Sequence, residues 1–168
     1  MTKVINIIGS SSNVGKTFVM EGLIKELKKR NYKIATIKHD VHGFDIDHEG
    51  KDTYKHRQAG ADTVVISSKN RFALIKEVKE EISLYNIIKD IYKENDIILV
   101  EGYKKSNLRK IEVFRNDISE KIISPKENLI CVASDTMLHL DDLKIVDKND
   151  FNSMANLIEL ENDYKIEY

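Results

Sequence analysis

The sequence is poor in the residues that staple, break or bend a chain. Cys131 is its one cysteine, so it has no internal disulfide, no C-x-x-C redox pair and no cysteine-based metal motif. Pro125 is its one proline, and all seven glycines fall at or before Gly102. Glycine collects where backbone turns sharply or approaches a ligand, so the first two thirds are expected to hold the functional part. Net charge is nearly absent as well: 27 Lys+Arg against 28 Asp+Glu leaves −1. Bulk attraction to nucleic acid or to an anionic membrane therefore finds no support. No segment approaches the roughly 18 consecutive apolar residues of a membrane span. The first residues lead into a strand-like run without a signal-peptide h-region. The expectation is a cytoplasmic protein without nucleic-acid or membrane partners.

What is present fits one globular domain over residues 1–168. Hydrophobic residues make up 41% and charged residues 33% of the 168, enough apolar content to build a core without disulfides or structural metal. Val4-Ile5-Asn6-Ile7-Ile8 has the β-branched character and length of a buried strand. Met20, Leu23, Ile24 and Leu27 then recur at helical spacing, Asn31 stops that helix, and Lys33 to Ile37 reads as a second strand. Strand, loop, helix and strand in this order predict a βαβ unit with a parallel sheet. Residues 51–60 read as a short helix ending at Gly60, with Asp52 as its candidate cap. Asp62 to Ser67 and Phe72 to Val78 read as a hairpin across Ser68-Lys69-Asn70-Arg71. Leu84, Ile87, Ile88 and Ile91 mark another helix, and Ile97 to Val100 a fully buried central strand. Ile111-Glu112-Val113-Phe114 alternates as an edge or half-exposed strand would. Leu129 to Ala133 is a further buried strand, and Phe151 to Leu160 a closing helix behind an Asp150 cap. The predicted fold is a three-layer α/β domain, its sheet mainly parallel with an antiparallel hairpin or edge.

Ser10-Ser11-Ser12-Asn13-Val14-Gly15-Lys16-Thr17 lies between the first strand and the first helix. Successive backbone N–H groups curled at a helix N-terminus bind phosphate oxygens. In the pattern G-x-x-x-x-G-K-[ST], the lysine reaches the outer phosphates and the hydroxyl ligates Mg²⁺. Gly15-Lys16-Thr17 meets it, whereas Ser10 stands at the first glycine position and Gly9 one residue early. Glu101, closing the apolar strand 97–100, is placed to hold a metal or orient its water, because open α/β sheets bind ligands at that edge.

His39, His42, His48 and His56 are interleaved with Asp40, Asp45, Asp47, Glu49 and Asp52. Three readings stay open: a nucleotide- and Mg²⁺-sensing loop, a transition-metal site, and a solvated polar loop. Lys51, Lys55 and Arg57 have the reach for phosphate oxygens. Lys104, Lys105, Arg109, Lys110 and Arg115 face only Glu112 in charge, which makes a local basic run beside the phosphate loop. Cys131, inside an apolar strand, reads as inert core.

The order Ile37-Lys38-His39-Asp40, Asp45-Ile46-Asp47-His48-Glu49-Gly50-Lys51-Asp52-Thr53-Tyr54, Gln58-Ala59-Gly60-Ala61, Leu99-Val100-Glu101-Gly102-Tyr103-Lys104 and Lys110-Ile111-Glu112-Val113-Phe114-Arg115 resembles the molybdopterin-guanine dinucleotide biosynthesis adapter family, MobB. The match runs over roughly residues 3–135. It implies a GTP-binding P-loop protein, a homodimer with at most weak GTPase activity. Such a protein assists a separate guanylyltransferase (MobA) that attaches GMP to the molybdopterin cofactor. Carried onto this chain, the resemblance has Ser12, Asn13, Val14, Gly15, Lys16 and Thr17 cradle the phosphates, with Asp47, Lys51 and Asp52 facing the nucleotide or the pterin. Thr17, Asp47 and Glu101 would serve Mg²⁺. No Asn-Lys-x-Asp guanine-reading motif occurs, and Asp135 is its candidate substitute. A small-molecule kinase with the 104–115 segment as lid, and a metal-delivery GTPase using the His39–His56 segment, are the alternatives.

Overall fold

The computed structural model describes residues 2–138 and 143–166, which group into two compact units: Met1–His39 with Leu84–Tyr168, and Asp40–Ser83. The first unit is built on a six-stranded sheet of β1 (Lys3–Gly9), β2 (Ile34–Lys38), β5 (Ile97–Glu101), β6 (Arg109–Phe114), β7 (Leu129–Ser134) and β8 (Ile145–Asp147). Their order across the sheet is β2-β5-β1-β6-β7-β8, and every pair is parallel. Three helices flank it: α1 (Lys16–Lys29), α3 (Leu84–Ile91) and α4 (Phe151–Leu160).

Strand alternation divides the core between two faces. Ile5 and Ile7 of β1 join Val19, Leu23 and Leu27 of α1 and Met154, Ala155 and Ile158 of α4 on one face. Val4 packs with Ile98, Val100, Leu108 and Ile88 of α3 on the other. Helices on both faces of a parallel sheet give the predicted three layers. Helix α1 ends where its sequence says it must. Asn31 takes the left-handed conformation at φ 67°, its N–H reaches Lys28 O at 3.0 Å, and the Tyr32 N–H reaches Leu27 O at 3.2 Å. This is the double closure of a Schellman stop. Asp150 caps α4 as expected, accepting from Ser153 N at 2.9 Å.

Strand β6 corrects the sequence reading. It lies inside the sheet between β1 and β7, and residues 110–114 are all buried. Its alternation is real, yet the polar positions face protein and not water. The Glu112 carboxylate accepts from the backbone N–H groups of Ile123 and Ser124, both at 2.9 Å. The Lys110 ammonium donates to Ser106 O and, at 3.1 Å, to Leu108 O. Strand β8, only three residues long, has no sequence pattern to announce it. At the sheet's N-terminal end, Arg109 forms a bidentate pair with Glu161 at 2.6 and 3.0 Å.

The second unit contains α2 (Asp52–Gln58) and the antiparallel pair β3 (Thr63–Ser68) and β4 (Arg71–Lys76). Lys51 is the N-cap residue of α2, without a side-chain cap bond. Asp52 sits one position inside, so the predicted Asp52 cap is displaced; there its charge still favours the positive helix end. Val65, Phe72 and Leu74 share one face of the hairpin, and each is more than half exposed. Among the described residues, no helix is long and apolar enough to cross a membrane.

Candidate functional site

The C-terminal ends of the parallel strands gather the predicted residues of the first unit. Chain direction around β1 changes there, since β2 lies on one side beyond β5 and β6 on the other. Such a switch point leaves a crevice for a ligand. Leaving β1 at Gly9, the chain runs through 10–15 and enters α1 at Lys16. Two left-handed residues shape the loop, Asn13 at φ 65° and Gly15 at φ 104°, with Val14 turned inward between them and 1% exposed. A Cβ on Gly9 would lie 2.4 Å from Val14 Cγ2 and 3.1 Å from Val113 O. The close approach therefore falls on Gly9, which explains how Ser10 occupies the pattern's glycine position.

Gly15, the N-cap of α1, offers no side chain to its first N–H groups, and the first turn has no acidic residue. A 14-residue helix thus presents uncapped donors and its positive end toward the loop. Ser11, Ser12, Asn13 and Thr17 are exposed, and Thr17 brings its hydroxyl to the second helical position. The Lys16 ammonium folds over the loop to Ser11 O at 2.8 Å. Its pKa lies below the ordinary 10.5, first because it is desolvated and then through the neighbouring charges of Lys104 and Lys38; Glu101 acts in the opposite sense. Two further cations hold the loop's carbonyl rim, Lys104 at 2.9 Å from Ser10 O and Arg115 at 3.4 Å from Asn13 O. The buried Ser119 hydroxyl lies 3.3 Å from that of Ser10 and accepts from Arg115 N at 3.1 Å.

Glu101 closes β5, paired in register with Ile7 of β1 and Lys38 of β2. The turn after it is tightly determined. Gly102 has φ 94°, a Cβ there would sit 2.9 Å from His39 Cβ, and Tyr103 follows at φ 45°. The His39 and Tyr103 rings stack at 4.2 Å. Asp135 follows β7 at the same sheet edge. Its carboxyl is held below the usual range by hydrogen bonding from Asn116 N, at 3.0 Å, and by Lys148 at 3.3 Å.

The remaining predicted residues lie in the second unit. Asp47 is paired with Arg57 Nε at 3.3 Å, while the same guanidinium bonds Asp45 at 2.6 Å and approaches Glu77 at 3.6 Å. Arg57, read above as a phosphate-reaching group, is thus committed to three carboxylates. The Asp45 hydrogen bond is the main cause of its raised pKa. Lys51 is exposed, and Asp52 is ion-paired to Lys55 at 3.9 Å. No group of three or more His, Cys, Asp or Glu side chains suited to a metal ion occurs among the described residues. Arg109 corrects the lid reading of residues 104–115: it starts β6 at the far end of the sheet, tied to Glu161. The sequence marked Lys104 and Arg115 as basic but not as the pair that grips the loop. Ser119 carried no signal at all.

A parallel sheet with this loop before α1 and an acidic residue ending the neighbouring strand defines a P-loop NTPase-like α/β protein. The family model for MobB, molybdopterin guanine dinucleotide synthesis protein B, matches residues 4–135, and the chain belongs to that family. The molybdopterin-guanine dinucleotide biosynthesis adapter protein of Escherichia coli (strain K12) is 36% identical over 88% of this chain and 86% of its own length. That of Haemophilus influenzae is 31% identical over 92% and 86%. The crystal structure of Bacillus subtilis MobB superposes with a TM-score of 0.73 at 20% identity, covering 95% of this chain and 99% of that one. A second structure, of molybdopterin-guanine biosynthesis protein B, gives 0.68 at 23% identity over 93% and 97%. At those identities the two structures establish the fold.

Proposed function

We propose that this chain is a guanine-nucleotide-binding adapter of the cytoplasm that takes up GTP with Mg²⁺ during molybdopterin guanine dinucleotide formation. It works beside a separate MobA-like guanylyltransferase, which transfers GMP to the molybdopterin cofactor. The observation that carries the reading is the phosphate loop: left-handed Asn13 and Gly15, an uncapped α1, and Lys16 with two flanking cations, in a chain of the MobB family. Mg²⁺ would be held by the Thr17 hydroxyl and Glu101, where it offsets phosphate charge. Slow hydrolysis fits the engagement of Arg115 with a carbonyl of the loop itself, at Asn13, and of two further arginines elsewhere. Arg109 and Arg57 are both spent on carboxylates.

The chain acts as a homodimer through the β3–β4 hairpin. A two-stranded sheet with an open apolar face is marginal alone, and antiparallel edges pair readily across a two-fold axis.

Calorimetric titration of metal-stripped protein with GTP and with ATP, each with Mg²⁺, tests the reading beside Lys16→Ala. Selective GTP binding that the variant loses supports it. ATP preference with transfer to a small acceptor replaces it by a kinase, and no binding of either nucleotide refutes it.

A further inference from the structure

Strand β6 buries two charged side chains that phosphate binding does not use directly. Lys110 is 0% and Glu112 1% exposed, on the strand hydrogen-bonded to β1. An apolar pair would fill this face more cheaply, because burying a charge is unfavourable unless every donor and acceptor is matched. Desolvation indeed lowers the Lys110 pKa. Each charge is matched to backbone, and each to a different loop. Lys110 donates to Ser106 O and Leu108 O, inside the segment that carries Lys104 to the rim at Ser10. Asn6, fully buried beside Lys110 on β1, adds bonds to Tyr103 O at 3.2 Å and Ser106 Oγ at 3.1 Å. Glu112 accepts from Ile123 N and Ser124 N, anchoring the far end of the segment that carries Arg115 to Asn13 O and Ser119 to Ser10.

We propose that Lys110 and Glu112 are positioning residues for nucleotide binding: Lys110 sets the 102–108 loop and thereby Lys104, and Glu112 sets the 115–124 loop and thereby Arg115. Neither touches the ligand. Each fixes a backbone segment whose cation grips one side of the phosphate loop. The inference rests on the nucleotide-binding reading and adds to it a division of labour between two loops.

The test crosses two positioning variants with two rim variants. Mg²⁺·GTP affinity is titrated for Lys110→Met, Glu112→Gln, Lys104→Met and Arg115→Met, and for all four pairings of the first two with the last two. Amide exchange is followed over 102–108 and 115–124 without nucleotide. Lys110→Met should weaken binding by about tenfold, the low end for groups that orient binding residues, and speed exchange in 102–108 only. Glu112→Gln should do the same with exchange confined to 115–124. Lys110→Met combined with Lys104→Met should bind no more weakly than Lys104→Met alone, whereas combined with Arg115→Met the losses should multiply. Glu112→Gln should show the mirror pattern. A merely structural role would loosen both loops and multiply in every pairing, which overturns the proposal, as does wild-type affinity in folded variants. If Lys110→Met does not fold, the Glu112→Gln arm decides alone. A wild type that binds no nucleotide removes the underlying reading and this inference together; a binding wild type with indifferent variants removes only this inference.

Discussion

Gly9 shows how a single missing side chain shapes the loop, because Val14 occupies the space that a Cβ would take. Gly9→Ala should cost about 1–3 kcal/mol of stability, as overpacking does. Melting should recover in part when Val14→Ala makes room, and a denaturation series on the single and double variants measures this. Lys16 yields a pH prediction. Its lowered pKa means the ammonium discharges below the ordinary 10.5, so GTP affinity should begin to fall at a lower pH than an unperturbed lysine would give. Binding on that alkaline limb should take up a proton, which calorimetry in buffers of different ionisation enthalpy detects. Cys131 behaves oppositely to a reactive thiol: burial pushes it up to about 12. Native protein should resist a thiol reagent that titrates one group after unfolding.

Helix ends and strand placement belong to the next scale. Asp150 holds α4 through Ser153, and that hydrogen bonding depresses its pKa. A depressed carboxylate contributes stability above its unfolded pKa and loses it as pH falls through the lowered folded value. Asp150→Ala should therefore reduce stability by about 1 kcal/mol near neutrality and flatten the acid limb of the stability curve, as thermal melts across pH would show. Most elements were legible because their signals are local. The apolar run of β1, the 3.6-residue period of α1 with its Asn31 stop, and the polar turn of the hairpin each reside in a few adjacent residues. Strand β6 was misread because Lys110 and Glu112 look solvent-facing until the loops that satisfy them are known. Strand β8 was missed because three residues cannot display a period. In the candidate site, motif and strand end gave the places of Gly15-Lys16-Thr17, at the start of α1, and of Glu101, at the end of β5. The grip of Lys104 and Arg115 was not legible, since it depends on where two loops return to β1.

At the scale of the molecule, the exposed face of Val65, Phe72 and Leu74 has a measurable consequence. Sedimentation should find a dimer for the wild type and a monomer for Phe72→Asp with Leu74→Asp. The variant should keep its nucleotide affinity if binding belongs to the first unit alone. A wild type that sediments as a monomer would remove the role proposed for the hairpin.

The strand order also sets a timetable for synthesis. Lys3 of β1 pairs with Ile97 of β5, and Ile5 with Arg109 of β6. Strand β1, buried from Val4 onward, is made before either of its neighbours, which arrive some ninety or more residues later, and β2 waits for β5 as well. At about 5–20 residues per second, the apolar β1 spends roughly 5–20 s without a sheet partner while the hairpin of the second unit can already close locally. The phosphate loop precedes in the chain the Lys104, Arg115 and Ser119 that hold it, so it acquires its shape only after they have been made. During that interval the nascent chain depends on shielding from its surroundings, and a slower or crowded translation should raise its tendency to aggregate through β1.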